Sequence, residues 1–255
     1  MSSSSSKPCC IVASPRLVEL VDRAPNLRGR ASRVFSLLSS CGLLARPNAR
    51  LIAPRYTVFN GDSSHFFRVK IELNWTLHLS QIQNVARITQ IENLTPRPAT
   101  VDELTRFHSH EYVETLRRCG DRDDDDDDID EALAEFGLGY DCPVIPELYD
   151  FASLVAGSSI CAAKCLASGA CDVAVNWFGG WHHAQRDAAA GFCYVNDVVL
   201  AVHALTASAF PRVLYIDLDV HHGDGVENAF LFTDKVSRFG FPDSEFPDFD
   251  LPDFE

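Results

Sequence analysis

The chain has 255 residues, of which 46% are hydrophobic and 23% are charged. This composition is typical of a soluble globular protein and excludes a wholly disordered or fibrous chain. The formal net charge is −14, and nearly all of it lies in two acidic runs, at 121–130 and 241–255. Because the remaining sequence is close to neutral, it shows no basic footprint for direct nucleic-acid binding.

The start of the chain and its longest apolar run indicate neither secretion nor a membrane. Residues 1–7 are rich in serine and are expected to be disordered, and no apolar core of a signal peptide follows them. The apolar run that begins at Phe151 reaches Lys164 too early to span a bilayer without a charge. The nine cysteines form no CxxC pair, so we expect reduced, mostly buried thiols.

The first part of the chain predicts two strands, a helix and an irregular stretch. Residues 9–13 form a short apolar run typical of a strand, and residues 50–53 indicate a second strand. Residues 32–44 carry apolar side chains at helical spacing. Residues 56–94 mix strand-like pieces with no clear helix, and we interpret them as an apparent insertion.

Regular structure is predicted again from Thr100. Thr100 and Glu103 have the spacing of a capping box, which predicts a helix start at this point. Residues 110–118 predict a second helix. The run of aspartates at 121–130 is expected to be a solvated loop. A divalent-cation site is the alternative, but identical acids without an interspersed glycine turn do not define a coordination shell.

The pattern after residue 148 alternates helix and strand. It predicts a helix at 149–168, a strand at 172–176, a helix at 195–207 and a strand at 213–220. A strand, a helix and a second strand of these lengths form a βαβ unit, which favours a parallel sheet. The fold class is therefore α/β.

Polar residues follow both of these predicted strands. In parallel sheets, ligands bind beyond the carboxyl ends of the strands. Asp217, Asp219 and His221 would share one face of an extended strand end, so they could converge on zinc or a related metal ion. The alternative is a buried aspartate that caps a helix, with solvated histidines beside it.

A histidine pair, His182 and His183, follows the first of the two strands. Adjacent side chains on an extended backbone point in different directions, so each imidazole could pair with a carboxylate from the other cluster. A histidine that a carboxylate orients is what general acid–base catalysis at neutral pH uses.

Three segments carry a resemblance to a known family. WHHAQRDAAAGFCYVND at 181–197 and VLYIDLDVHHGDGVENAF at 213–230 resemble the class I zinc-dependent histone deacetylases, and with GLGYDCP at 137–143 they resemble the type-eight branch of that class. The resemblance implies a three-layer α/β fold with a parallel sheet of arginase/deacetylase type. It also implies a hydrolase and chromatin regulator of the nucleus and/or cytoplasm that removes acetyl groups from lysines of histone tails or other proteins.

The resemblance further implies roles for single residues and a metal cofactor. A metal-bound water would attack the amide carbonyl, and His183 would be the main general base and acid. Zinc, or another divalent metal, would be held by Asp219 and His221. The remaining roles would be a catalytic partner (His182), orientation of the two histidines (Asp217, Asp224), substrate binding (Asp141, Gly191, Phe192) and a structural monovalent cation (Asp217, Asp219).

The resemblance is interrupted at 56–94 and ends near Lys235. We therefore expect a single truncated deacetylase-like domain over 1–255, an incomplete sheet, and a foreign acidic tail at 236–255 whose prolines and acids make it a poor strand. This pattern indicates a truncated isoform. Two alternatives to an active deacetylase stay open: a catalytically inactive form that acts as a binding or regulatory fragment, and a hydrolase of the arginase or acetylpolyamine type.

Overall fold

The structure is a computed structural model that describes residues 9–24, 27–40, 66–70, 91–120, 133–208 and 210–240. Its helices and strands are interspersed along the chain, as the α/β prediction requires. In chain order they are β1 (Cys9–Val12), α1 (Pro15–Arg23), α2 (Arg30–Ser40), β2 (Phe66–Lys70), β3 (Ile91–Leu94), α3 (Val101–Leu104), α4 (His110–Gly120), α5 (Leu148–Ala167), β4 (Val173–Asn176), α6 (Asp197–Thr206), β5 (Arg212–Ile216), α7 (Asp224–Ala229) and β6 (Val236–Phe239).

All strand pairings in the described part of the chain are parallel. Strand β1 lies between β3 and β4, and strand β5 lies between β2 and β6. Val12 is level with Leu94 and Asn176, so the carboxyl ends of β1, β3 and β4 meet at one edge. Strands β4 and β5, predicted to form one βαβ unit, lie in two different three-stranded sheets. The parallel strands and flanking helices form an α/β fold, as the resemblance to the arginase/deacetylase type implies.

Strand β1 and helix α5 lie in the centre of the core. All four residues of β1 are buried, which is typical of a strand that is covered on both faces. Helix α5 packs against α6 and α4. A Cβ at Gly157 would lie 1.9 Å from the Arg97 carbonyl oxygen, so this glycine lets the segment before α3 approach the helix. There the Ala99 N–H donates to the Ser153 carbonyl oxygen at 2.8 Å.

Helix α5 is also the one described helix that is long and apolar enough, by length and composition, to cross a membrane. Of its most apolar window, 61% is buried inside the protein. Its neighbours are α6, α4, β4 and β1. The helix is therefore packed on several sides, as a core helix of a globular fold is.

The described cysteines agree with the prediction of reduced, mostly buried thiols. Eight of them form no disulfide, and six of these are buried. Burial, with a smaller contribution from the neighbouring Cys171, raises the pKa of Cys9 to about 11. Burial likewise raises the pKa of Cys142 to about 11. These thiols stay protonated at neutral pH, and protonated buried thiols are chemically inert.

Two segments expected to be foreign to the fold contribute strands to it. Within 56–94, strand β2 pairs with β5 and strand β3 pairs with β1. The prediction of a poor strand is wrong for Val236–Phe239, which pairs with β5. These four residues contain neither proline nor an acid, and the prolines of the tail begin at Pro242. The other residues of both segments lie outside the described residues, as do 1–7, 50–53 and 121–130, and the domain boundaries stay a prediction.

The predicted capping box at the start of α3 is confirmed. The Thr100 side chain accepts from the Glu103 N–H at 3.2 Å, and the Glu103 carboxylate accepts from the Thr100 N–H at 3.0 Å. The same carboxylate binds both Arg97 and Lys164, at 2.7 and 2.6 Å. The hydrogen bond from Arg97, with further ones from Lys164 and the Thr100 N–H, lowers the pKa of Glu103 to about 2 against the opposing effect of burial.

We expect Glu103→Gln to lower the free energy of unfolding by about 1–2 kcal/mol at neutral pH. A depressed carboxyl pKa stabilises the fold above the unfolded-state pKa of about 4.3, and this contribution is lost as the pH falls toward the folded-state pKa. The difference between wild type and variant should therefore be constant near neutral pH and should shrink below about pH 5. Urea denaturation at a series of pH values measures it.

The matched control is Glu111→Gln. Glu111 is an exposed acid in the first turn of α4 and forms no ion pair among the described residues. Its substitution should change stability by no more than about 0.5 kcal/mol. A Glu103 variant whose deficit does not depend on pH would contradict the ionic role of this carboxylate.

Candidate active site

Strand β5 ends earlier than the sequence predicted, and two turns replace its last residues. The predicted strand continued to residue 220, but β5 ends at Ile216. The Asp217 carboxylate accepts the Asp219 N–H at 2.9 Å, and the Asp219 carboxylate accepts the His221 N–H at 2.9 Å. Aspartate side chains that accept the N–H two residues later form Asx turns. The three residues therefore lie together because of these turns, and not because of strand periodicity.

His182 lies next to Asp217 beneath the surface of this edge. Its Nδ1 is 2.6 Å from an Asp217 carboxylate oxygen, which also accepts from the Tyr215 hydroxyl. Only 5% of His182 and 8% of Asp217 are exposed. Burial alone would lower the pKa of His182, but the hydrogen bond with Asp217 and the nearby carboxylate charges raise it. Burial alone would raise the pKa of Asp217, but the hydrogen bonds from His182 and Tyr215 lower it.

His183 forms a second pair, with Asp224 at the start of α7. Its Nδ1 is 2.8 Å from one carboxylate oxygen of Asp224, and the other carboxylate oxygen accepts from the Gln185 amide at 2.9 Å. The rings of His182 and His183 lie with their centroids 4.1 Å apart. His183 is half-buried, so it is the more accessible of the two imidazoles. The structure thus brings each predicted histidine next to its predicted carboxylate.

Asp219 and His221 are the donors predicted to hold zinc. Nδ1 of His221 is 2.9 Å from an Asp219 carboxylate oxygen, and the ring centroids of His183 and His221 are 6.2 Å apart. One imidazole and one carboxylate suit zinc in their chemistry. Catalytic zinc usually has three protein ligands, and no group of three metal-ligating side chains is present in the described ranges. The described donors therefore fit zinc in type but not in number.

The predicted substrate residues Gly191 and Phe192 form a tight turn against His183. Ala190 and Cys193 exchange two backbone hydrogen bonds, of 3.0 and 2.7 Å, across the turn. Both central residues have positive φ, +50° at Gly191 and +68° at Phe192, as a type I′ turn requires. A Cβ at Gly191 would lie 2.6 Å from the His183 ring, so the turn packs directly on this imidazole.

Phe192 and Asp141 are the exposed members of the predicted set. Phe192 is 45% exposed, although a large side chain at positive φ is strained. Asp141 is exposed in the turn where the Gly139 N–H donates to the Cys142 carbonyl oxygen at 2.9 Å. No contact in the described residues joins Asp141 to the histidine pair. Phe192 is thus adjacent to the site, and the role of Asp141 stays a prediction.

Two residues that the sequence reasoning missed hold the histidine loop in place. Asp197 is fully buried and accepts the backbone N–H groups of Gly180 and Trp181, at 3.1 and 2.8 Å. Asn196 donates from its side chain to the His182 and Ala184 carbonyl oxygens, at 3.2 and 3.0 Å. Asn196 also caps α6, and its preference for helix N-caps was the available sequence signal. Nothing local indicated the contacts back to the loop.

The sequence matches a known protein family and several of its members. Residues 69–249 match the family described as histone deacetylase domain. Histone deacetylase 8 of Danio rerio is 38% identical over 225 residues, which are 88% of this chain and 47% of that protein. Histone deacetylase 8 of Xenopus tropicalis is 45% identical over 157 residues, 62% of this chain and 42% of that protein. Histone deacetylase HDAC1 of Drosophila melanogaster is 47% identical over 158 residues, 62% of this chain and 30% of that protein.

The chain spans less than half the length of these relatives. The family match begins inside the 56–94 stretch and continues beyond Lys235, so it reaches into both segments that were expected to be foreign. The predicted similarity to the type-eight branch is confirmed by the two histone deacetylase 8 proteins. Because the family match covers most of the sequence and the two histidine–carboxylate pairs lie within it, the chain belongs to the histone deacetylase domain family.

Proposed function

We propose that this chain carries a lysine deacetylase site, which hydrolyses the acetyl-lysine amide of histone tails or other acetylated proteins. The observation that supports it best is the pair of adjacent histidines, each hydrogen-bonded through Nδ1 to its own carboxylate. The names of the relatives support the same chemistry. An arrangement with two separately oriented imidazoles can both remove and supply protons at one point.

His183 is the group we assign as general base and then general acid. Its Nδ1 faces Asp224, so the proton on Nδ1 is held there and Nε2 remains the basic nitrogen. Nε2 would take a proton from the attacking water as the carbon–oxygen bond forms. It would then give that proton to the lysine nitrogen as the carbon–nitrogen bond breaks, releasing acetate and the free amine.

His182 is suited to a different task from His183. Burial alone would lower the pKa of His182, but the hydrogen bond with Asp217 raises it, which favours the imidazolium. A cationic ring 4.1 Å from the His183 ring would stabilise negative charge that develops on the acetyl oxygen. Neighbouring titratable groups in different environments commonly divide acid and base roles in this way.

Asp219 and His221 are the residues we assign to a catalytic zinc or another divalent metal. A third ligand would have to come from residues outside the described ranges. When bound, such a metal polarises the carbonyl and makes water a better nucleophile. For the monovalent cation, we assign the carboxylates of Asp217 and Asp219. The substrate would lie over the Gly191–Phe192 turn, which borders His183, with Asp141 at the rim.

The cellular setting follows from the proposed substrates. Acetylated histone tails and other acetyl-lysine proteins are found in the nucleus and/or the cytoplasm, and a role in transcription regulation would act through chromatin. Eight free thiols among the described residues fit a reducing compartment. We propose neither direct nucleic-acid binding nor membrane attachment for this chain.

The proposed function predicts that His183→Gln removes at least about 10² of the deacetylase rate. The assay uses an acetyl-lysine peptide with the full chain in excess and zinc added, and mass spectrometry follows the loss of the acetyl group. His222→Gln is the matched control. The side chain of this neighbouring histidine pairs with Glu227 at 2.5 Å and not with Asp217 or Asp224, and its substitution should leave the rate nearly unchanged. Equal rates for wild type and the His183 variant would refute the assignment.

A second candidate function is an inactive fragment that binds acetyl-lysine proteins without hydrolysing them. It is favoured by the lack of a third metal-ligating side chain among the described residues. Wild-type protein that binds the acetylated peptide more tightly than the unacetylated one, but releases no acetate with zinc present, would support this candidate over the first.

A further inference from the structure

A polar cavity lies beside Gln185, whose amide donates to Asp224 of the His183–Asp224 pair. It is a partly open cavity of about 300 Å³, lined mainly by Arg106, Gln185, Arg186, His203 and Asn228. Arg106 comes from the segment after α3, Arg186 and Gln185 from the loop after the histidine pair, and the other two from α6 and α7. Its volume is at the lower end of the range for small-ligand sites.

The cavity is positively charged although the protein as a whole is acidic. Arg106 and Arg186, both exposed, line it and no acidic residue does, while the formal net charge of the chain is −14. Within the described ranges, neither Arg106 nor Arg186 forms an ion pair. Burial, with a smaller contribution from the Arg106 charge, lowers the pKa of His203, so this imidazole adds a neutral hydrogen-bonding group rather than a third charge.

Hydrogen bonds fix the amide groups of the cavity. The Asn228 amide donates to the Gln185 side-chain oxygen at 3.0 Å. The Gln185 amide in turn donates to Asp224 at 2.9 Å and to the His183 carbonyl oxygen at 3.2 Å. The Asn228 nitrogen carries a second N–H. The cavity wall is therefore held by the same carboxylate that orients His183.

We propose that this cavity binds a small phosphate-type dianion, with Arg106 and Arg186 as its charged ligands. Guanidinium groups bind phosphate oxygens in a planar, two-pronged geometry. Two of them without carboxylate partners favour a dianion over a singly charged carboxylate. Neutral N–H donors from Asn228 and His203 would complete the shell. Phosphate binding at this cavity does not depend on the proposed deacetylase activity and can be measured without turnover.

Isothermal titration of the full chain with sodium phosphate, near neutral pH and at constant ionic strength, tests the proposal. The double variant Arg106→Gln/Arg186→Gln should bind phosphate at least about tenfold more weakly than wild type. The matched control is Arg33→Gln/Arg118→Gln, which changes the net charge equally at two exposed positions that do not line the cavity. The control should bind within about twofold of wild type, and circular dichroism checks that each variant is folded.

Three results would overturn the proposal. They are no measurable phosphate binding by wild type, an equal loss in both double variants, and acetate binding as tight as phosphate binding. The first two would show that Arg106 and Arg186 form no specific site, and the third would show that the site does not select a dianion. If the double variant does not fold, the single variants apply the same test, with a loss of at least about threefold expected from each.

Discussion

Replacing Asp197 with alanine is expected to lower the free energy of unfolding by about 3–5 kcal/mol. The fully buried Asp197 carboxylate accepts three hydrogen bonds, from the Gly180 and Trp181 N–H groups and from the Ser159 hydroxyl. Alanine would leave these donors in the interior without an acceptor. An unsatisfied buried polar group costs about 1–3 kcal/mol. The total for three donors is smaller than three full penalties, because the loop can relax and satisfy them in part.

The same substitution should loosen the histidine pair. Gly180 and Trp181 directly precede His182 in the chain, so the carboxylate of Asp197 fixes the backbone from which both imidazoles project. Urea denaturation measures the stability change, and Asp234→Ala is the control. Asp234 is exposed, and its loss should change stability by no more than about 0.5 kcal/mol. A deficit below about 1 kcal/mol for the Asp197 variant would contradict the buried-acceptor argument.

Asp197→Asn separates charge from shape at this position. Burial raises the pKa of Asp197, against hydrogen bonds that lower it. A neutral side chain of the same size is therefore less costly there than alanine, because its oxygen still accepts one or two of the bonds. We expect the asparagine variant to lie between wild type and alanine in stability. If asparagine were as destabilising as alanine, the ionised carboxylate itself would be what the loop requires.

Much of the fold could be predicted because its signals are local. Four successive apolar residues indicated β1, the Thr100–Glu103 spacing indicated the start of α3, and the helical pattern at 149–168 indicated α5. Each of these depends on residues within a few turns of one another. The pairing of β5 with β2 and β6 could not be predicted in the same way, because parallel neighbours lie far apart in sequence.

The candidate site shows the same division. His182, His183, Asp217 and Asp224 were identified from sequence motifs, and the structure places them in pairs. The strand end at Ile216 was not foreseen, because Asx turns by successive aspartates replace the strand there. The contacts of Asn196, Asp197 and Gln185 were missed because they run between a side chain and a distant backbone or carboxylate group. Hydrophobic periodicity carries no information about such contacts.

A polypeptide of these 255 residues is expected to deacetylate an acetyl-lysine peptide at least about 10³ times more slowly than a full-length relative such as histone deacetylase 8 of Danio rerio. The first reason is the metal. Asp219 and His221 are two donors where catalytic zinc usually has three protein ligands. With only these two described ligands, zinc should be bound more weakly, and the rate would fall in proportion to the fraction of protein that carries the metal.

The second reason is the stabilisation of the oxyanion. Beside His182, the resemblance to the deacetylase family implies a tyrosine that donates to the acetyl oxygen, and losing one such donor typically reduces the rate by about 10²–10³. The three buried tyrosine hydroxyls of the described residues are engaged elsewhere. Tyr215 donates to Asp217, Tyr194 donates to the Pro143 carbonyl oxygen, and Tyr112 donates to the Tyr194 carbonyl oxygen. None of these hydroxyls is available to bind the acetyl oxygen.

The comparison measures kcat/KM on one peptide for both proteins, together with zinc content after dialysis. Weakly held zinc and a rate that rises with added zinc are the expected results. Tightly held stoichiometric zinc with a kcat/KM close to that of the relative would contradict the prediction. In that case a third ligand must come from residues beyond the described ranges, such as Asp243 or Glu245, or from a second copy of the chain. Asp243→Asn and Glu245→Gln would then separate the two sources. A monomeric variant that loses its zinc would show that the ligand comes from the tail of the same chain.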